Sequence, residues 1–193
     1  IKNFKHLIEE RLAGKPVSRI INKRNFWKME FKLNEATLDP RPDSETLIYA
    51  VLNHFINKLQ PLKILDLGSG SGCLGLSLLD EYQNSKVSFF DTSQKSLEIV
   101  KNNSLKFGLS ERSKFLHLNW KDDNWDTSLI KIENDTKFDI IISNPPYIPT
   151  DDIKKLQKEV KEYDPPIALD GGKDGMDAYK LIIPKLRNLI KTN

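Results

Sequence analysis

The strongest constraint on the fold is a change of texture across residues 63–79. Lys63-Ile64-Leu65-Asp66-Leu67 is a short, mostly apolar run that passes directly into Gly68-Ser69-Gly70-Ser71-Gly72, after which Cys73 to Leu79 takes helical spacing. A buried strand, a glycine turn and a helix start are the opening of a nucleotide-binding α/β unit. The glycines let the backbone pass close beneath a ligand, where a Cβ would intrude. A second strand, Lys86-Val87-Ser88-Phe89-Phe90, is followed by Asp91. A carboxylate at that distance can accept from both ribose hydroxyls of a nucleoside. Gly70-Ser71-Gly72-Cys73-Leu74-Gly75 on its own also matches the dinucleotide fingerprint. Asp66 weighs against a pyrophosphate: a carboxylate at the mouth of the glycine turn repels it, but attracts the ammonium and sulfonium of S-adenosylmethionine. No Gly-Lys-Ser/Thr follows the glycines, which excludes a phosphate loop.

A second feature narrows the chemistry. The apolar run Phe138 to Ser143 ends in Asn144-Pro145-Pro146-Tyr147. Each proline fixes its own φ and drives the preceding residue toward extended geometry, so the carbonyls of Asn144 and Pro145 cannot turn back into a helix and stay free as acceptors. Asn144 adds a side-chain carbonyl and Tyr147 a ring face. Together they suit a planar NH2 group held by both hydrogens while its nitrogen reacts. A bare Pro-Pro pair would be a strand-ending turn; the full tetrapeptide downstream of a cofactor site reads as a catalytic slot.

These features together resemble a class I S-adenosylmethionine-dependent methyltransferase that modifies planar amino groups. Three further stretches are similar to the protein-(glutamine-N5) methyltransferases acting on peptide chain release factors: Pro40-Arg41-Pro42-Asp43-Ser44-Glu45, Asn119-Trp120, and Leu169-Asp170-Gly171-Gly172-Lys173-Asp174-Gly175. The resemblance runs from about Gly14 to the C-terminal end. It implies a Rossmann-like, doubly wound, mostly parallel sheet, and methyl transfer to the glutamine of a Gly-Gly-Gln loop. It also implies a cofactor site made of Asp66, Gly68, Ser69, Gly70, Ser71, Gly72, Asp91, Asn119, Trp120 and Asn144, with Asn144, Pro145, Pro146 and Tyr147 holding the substrate. In that family a helical recognition domain precedes the β segment and further strands complete the sheet. The chain has no initiator Met and stops after a helix, so it reads as a fragment: 1–38 a remnant of the first region, 39–193 a methyltransferase domain lacking its last strands.

Composition agrees with a cytoplasmic enzyme, and a monomer is expected. At 193 residues and 38% hydrophobic, the chain can bury one substantial core. One cysteine leaves no intramolecular disulfide and suits a reducing compartment. No apolar run reaches membrane-spanning length. The net charge of +3 is mixed along the chain without a dense basic cluster, so direct nucleic-acid binding is not expected. His6, His54 and His117 lack metal-ligand spacing, so no metal is expected. Cys73 reads as a small packed side chain, and Arg41 and Glu45 either cap a helix or close over the methionine end of the cofactor.

Local patterning predicts a helix over Phe4 to Leu12 and one half-buried strand through Trp27, Met29, Phe31 and Leu33, packed on the edge of the main domain. A helix capped by Asp43 should carry Leu47, Ile48, Val51, Leu52, Phe55, Ile56 and Leu59 on one face. Further elements are a helix from about Ser93 to Phe107, a strand over Phe115 to Leu118, and a surface loop from Lys121 to Lys137. An amphipathic helix through Ile153, Leu156, Val160 and Tyr163 follows, then one from Asp177 to Lys191 kinked at Pro184. Three rivals remain: an N6-adenine or N4-cytosine DNA methyltransferase, a glutamine methyltransferase of a ribosomal protein, and an NAD-dependent oxidoreductase or nucleotide-binding module.

Overall fold

The computed structural model describes residues 2–192. Two helices, α1 (Lys2–Leu12) and α2 (Val17–Ile21), lead into an antiparallel hairpin of β1 (Lys23–Phe26) and β2 (Met29–Lys32). The single strand expected through Trp27 is therefore two strands. Trp27 sits in the turn at φ 54°, a left-handed conformation costly for a bulky residue unless its surroundings hold it. They do: its backbone N–H donates to Glu45 Oε1 at 2.7 Å, its indole N–H to Glu81 Oε1 at 2.8 Å, and its ring meets Tyr49 edge-on at 4.8 Å.

Four parallel strands form the central sheet in the order β5 (Ser113–His117), β4 (Lys86–Asp91), β3 (Lys63–Leu67), β6 (Ile140–Ser143). Alternation along β3 decides which residue serves which face. Ile64, with Val87 and Phe89 of β4, packs into one core beneath α3 (Glu45–His54), α4 (Cys73–Glu81) and α5 (Gln94–Lys106). Leu65 and Leu67, with Phe90, pack into the other beneath α6 (Trp125–Ile132) and α8 (Asp177–Leu189). Helices on both faces make this the doubly wound architecture expected. The hairpin lies over α5 rather than along the sheet edge, because Asn103 donates to Lys32 O at 3.1 Å and accepts from Lys32 N at 2.8 Å. Asn103 also donates to Ser71 O at 3.0 Å, tying the hairpin to the glycine turn.

Several local expectations give way to tertiary contacts. Residues 121–137 are not all loop: Trp125 and Leu129, one helical turn apart, are buried on the sheet and drive α6. Helix α3 ends at His54, short of Leu59, where the Tyr82 hydroxyl donates to Phe55 O at 2.7 Å. Asp43 lies in a 3-10 turn, Pro42–Ser44, and does not cap α3 with its side chain. The helix expected through Ile153 and Tyr163 is a 3-10 segment, Thr150–Lys155, and the short α7 (Lys158–Lys161), separated by extended residues at Leu156 and Gln157. Pro184 is accommodated inside α8. Beyond it, Ile190 forms an isolated parallel bridge with Phe138, so pairing beside β6 does follow the final helix.

Gly75 shows how closely α4 sits on the sheet. A Cβ there would lie 2.5 Å from the Phe89 ring and 2.9 Å from Asp66 Oδ2. Gly75→Ala is expected to destabilise by roughly 1–3 kcal/mol through overpacking, despite alanine's better helix propensity. The check is a lower urea midpoint at unchanged m value.

Candidate active site

Strand register assembles the site. Leu67 pairs with Phe90 on one side and Ser143 on the other. The residues that follow, Gly68, Asp91 and Asn144, therefore leave the sheet side by side. The chain builds outward from β3 through β4 to β5 and then crosses to β6, so the gap between β3 and β6 is the topological switch point where open α/β sheets take ligands.

A cleft opens there, lined by Gly68, Ser69, Gly70, Ser71, Asp91, Trp120, Asn144, Pro145 and Pro146 among others. Gly68 and Gly70 take φ of 73° and 54°, which glycine adopts without strain. A Cβ on Gly68 would also meet the Trp120 ring at 3.0 Å. Trp120 is itself held flat by stacking on Phe90, with planes 1° apart and centroids at 6.1 Å. The Asp91 carboxylate accepts from Gly70 N at 2.9 Å through Oδ2 and from Ser93 N at 2.8 Å through Oδ1. Each oxygen keeps further acceptor capacity. Burial raises the Asp91 pKa even though these amides oppose the shift.

Asn144 donates from Nδ2 to Ser44 Oγ at 3.1 Å. Among the described residues, no hydrogen bond reaches its Oδ1 or the backbone carbonyls of Asn144, Pro145, Pro146 and Tyr147. A second cleft lies beyond, lined by Tyr147, Ile148, Leu156, Val160 and Leu169, and it shares Leu38, Arg41, Asn144, Pro145 and Ala168 with the first. The Tyr147 backbone is braced by Gly171 and Gly175 of the Leu169–Gly175 stretch. A Cβ on Gly171 would lie 2.8 Å from Tyr147 Cα, and one on Gly175 would lie 2.4 Å from Tyr147 O. Ile148 and Asp170 are joined by a parallel bridge.

A family model described as "Methyltransferase small domain" matches residues 43–160. The chain belongs to this family. A release factor glutamine methyltransferase from Bradyrhizobium diazoefficiens is 41% identical, over 92% of this chain and 57% of that protein. A bifunctional methyltransferase from Rickettsia prowazekii is 35% identical, over 100% of this chain and 39% of that protein. The chain thus spans roughly two-fifths to three-fifths of the length of these relatives. Among solved structures, a SAM-dependent methyltransferase from Agrobacterium tumefaciens superposes at TM-score 0.58 with 17% identity, covering 88% of this chain and 48% of its own. A precorrin 8W decarboxylase from Methanobacterium thermoautotrophicum superposes at 0.52 with 14% identity, covering 83% and 64%. These likenesses agree with the doubly wound fold.

Within this methyltransferase small domain, some residues singled out by sequence stand apart from the cleft. Asp66 is not at the mouth of the glycine turn; it is buried under it, accepting from Gly75 N at 3.0 Å, and it does not line the cleft. Side chains alternate along β3, and Asp66 falls on the α4 face. Gly72, at φ 78°, faces Val100 and Leu76 and serves packing. Asn119 turns its Oδ1 to Lys121 N at 3.0 Å and also lies off the lining. Arg41 lines both clefts, whereas Glu45 secures the hairpin turn through Trp27. Ser44 joins the cleft without having been picked out individually; its only sequence signal was its place in the Pro40–Glu45 motif. Cys73 lines the cleft with its thiol pushed up to about 12, chiefly by burial and then by Asp66, so it is no nucleophile at neutral pH. No membrane-spanning helix and no metal-holding cluster occur among the described residues.

Asp66 yields a pH prediction. Burial, helped by Asp91 and opposed by the Gly75 N–H, raises its pKa from 3.8 to about 7. The folded chain therefore holds this proton more tightly than the unfolded chain. Its contribution is full below pH ~4 and is lost as pH rises toward ~7, on the order of a few kcal/mol. Asp66→Asn keeps an acceptor for Gly75 and removes the titration. It is expected to melt on the order of 5 °C above the parent at pH 8 and level with it near pH 4. Thermal scans at the two pH values check the sign.

Proposed function

We propose that this chain carries the catalytic site of an S-adenosylmethionine-dependent methyltransferase whose acceptor is the N5 amide nitrogen of the glutamine in a Gly-Gly-Gln loop of a peptide chain release factor. The observation that carries the reading is the meeting of the two clefts at Asn144 and Pro145, whose carbonyl oxygens have no partner among the described residues. The motif run and the name of the Bradyrhizobium relative support this acceptor.

The cleft residues fit the cofactor. Asp91 has acceptor capacity for two ribose hydroxyls, and Gly68 against Trp120 leaves a narrow space that a Cβ would fill. The buried Ser69 Oγ on the lining has no hydrogen-bond partner. Asp66 acts here only through the packing of the loop. When bound, S-adenosylmethionine supplies an electrophilic methyl group on its sulfonium.

An amide nitrogen shares its lone pair with the adjacent carbonyl and reacts poorly in water. In this site Asn144 Oδ1 and Pro145 O each accept one N–H of the substrate amide, which orients the nitrogen. As positive charge builds on the NH2, those acceptors are already in place to stabilise it. Tyr147 and the apolar wall of the second cleft exclude water around the glutamine stem. The methylated nitrogen is acidic and gives one proton to solvent, so no strong general base is required.

Two comparisons test this reading. Calorimetry is expected to register S-adenosylhomocysteine and not NAD. With labelled methyl donor, a release factor is expected to take the label and duplex DNA to take none. Label on DNA would favour the nucleic-acid rival; NAD binding alone would favour the oxidoreductase.

A further inference from the structure

The geometry points to Ser44 as a positioning residue that holds the Asn144 side-chain amide with its carbonyl oxygen turned to the acceptor site. Ser44 stands immediately before α3, where a serine hydroxyl ordinarily caps the first turn. Here it makes no capping bond. Its Oγ instead accepts a hydrogen bond from Nδ2 of Asn144, 100 positions away in the chain, at 3.1 Å. The backbone of Ser44 is fixed independently, its N–H donating to Arg41 O at 3.0 Å within the turn that begins at Pro42. Ser44 and Asn144 both line the cleft.

An Asn amide can rotate by half a turn at small steric cost, exchanging a carbonyl for an NH2 at the same place. Facing the substrate amide, the carbonyl accepts while the NH2 would set donor against donor. With one Nδ2 hydrogen on Ser44 Oγ, Oδ1 is the edge turned to the acceptor site, and although the Ser44 hydroxyl can donate as well as accept, a half-turn of the amide would set its NH2 against that of the substrate. The Pro40–Glu45 stretch thereby gains a physical role: it carries a hydroxyl from the start of α3 to the end of β6.

This inference rests on the reading of Asn144 as the residue that accepts from the substrate amide. Ser44→Ala is expected to lower the single-turnover rate at saturating cofactor by roughly 2- to 12-fold, the equivalent of one neutral hydrogen bond, with S-adenosylhomocysteine affinity within about two-fold of the parent. Ser44→Thr, which keeps the hydroxyl, is expected to restore most of the rate. In an Asn144→Ala background, Ser44→Ala should have almost no further effect, because Ser44 acts through Asn144. A full additional loss in that background, or parental rates in Ser44→Ala, would overturn the proposal. A parent protein that methylates no acceptor refutes the proposed function instead. In that event the side-chain NH2 resonances of Asn144 decide on Ser44: slower hydrogen exchange in the parent and in Ser44→Thr than in Ser44→Ala upholds the contact, and equal exchange overturns it.

Discussion

Replacing Asn144 by alanine is expected to lower the single-turnover rate of methyl transfer by roughly 100- to 1000-fold at saturating methyl donor, as when one preorganised polar group is removed. Cofactor affinity should fall much less, since the glycine turn and Asp91 remain in place. Asn144→Asp is the sharper probe. It keeps an oxygen toward the acceptor site and replaces the Nδ2 group that donates to Ser44, whose hydroxyl can reverse and donate instead. The aspartate variant should therefore keep much more activity than the alanine variant. Were the amide NH2 the group that faces the ligand, aspartate would be nearly as damaging as alanine and the defect would appear in cofactor binding. Rapid-quench single turnovers and calorimetry on the same preparations separate the outcomes.

Asp91→Ala is expected to weaken S-adenosylhomocysteine binding by roughly 100-fold or more. Two charge-assisted hydrogen bonds to the ribose are worth about 1.5–3 kcal/mol each, offset in part by water entering the emptied space. The same change leaves Gly70 N and Ser93 N without their acceptor, so the variant should also melt lower. Asp91→Asn should be intermediate, because its NH2 cannot accept from either backbone amide. Calorimetric affinity unchanged in Asp91→Ala would remove Asp91 from the ribose site.

What could be read from the chain was what neighbouring residues encode together. The strand 63–67, its glycine turn and α4 are contiguous, and the helical spacing from about Ser93 to Phe107 matches α5. In the structure Ser93 Oγ accepts from Ser96 N, and Gly108, at φ 70°, follows the helix. Asn144-Pro145-Pro146-Tyr147 was legible because proline chemistry is local. Features set by distant partners were not. Ile56 and Leu59 continue the helical spacing of α3 yet lie exposed, 81% and 63%, because Tyr82 takes the carbonyl that ends the helix. Trp27 looked like a strand residue because alternation is the same on both arms of a hairpin, and only Glu45 and Glu81 reveal the turn. The α6 helix is only 8 residues long within a polar stretch, and the value of its apolar positions depended on the sheet face above them. Asp66 was placed at the cleft mouth because its position in sequence abuts the glycines, while strand alternation sends its side chain to the opposite side. The Ser44–Asn144 contact joins residues 100 apart and has no local signature.

The central claim is that the slot at Asn144 and Pro145 presents a glutamine amide for methylation. Its most direct test is peptide-level mass spectrometry of a release factor incubated with the protein and isotopically labelled methyl donor. The account predicts one labelled methyl group on the glutamine side chain of the Gly-Gly-Gln loop, and none when that glutamine is replaced by glutamate. A label on any other residue, or persistence of the label after the replacement, would contradict it.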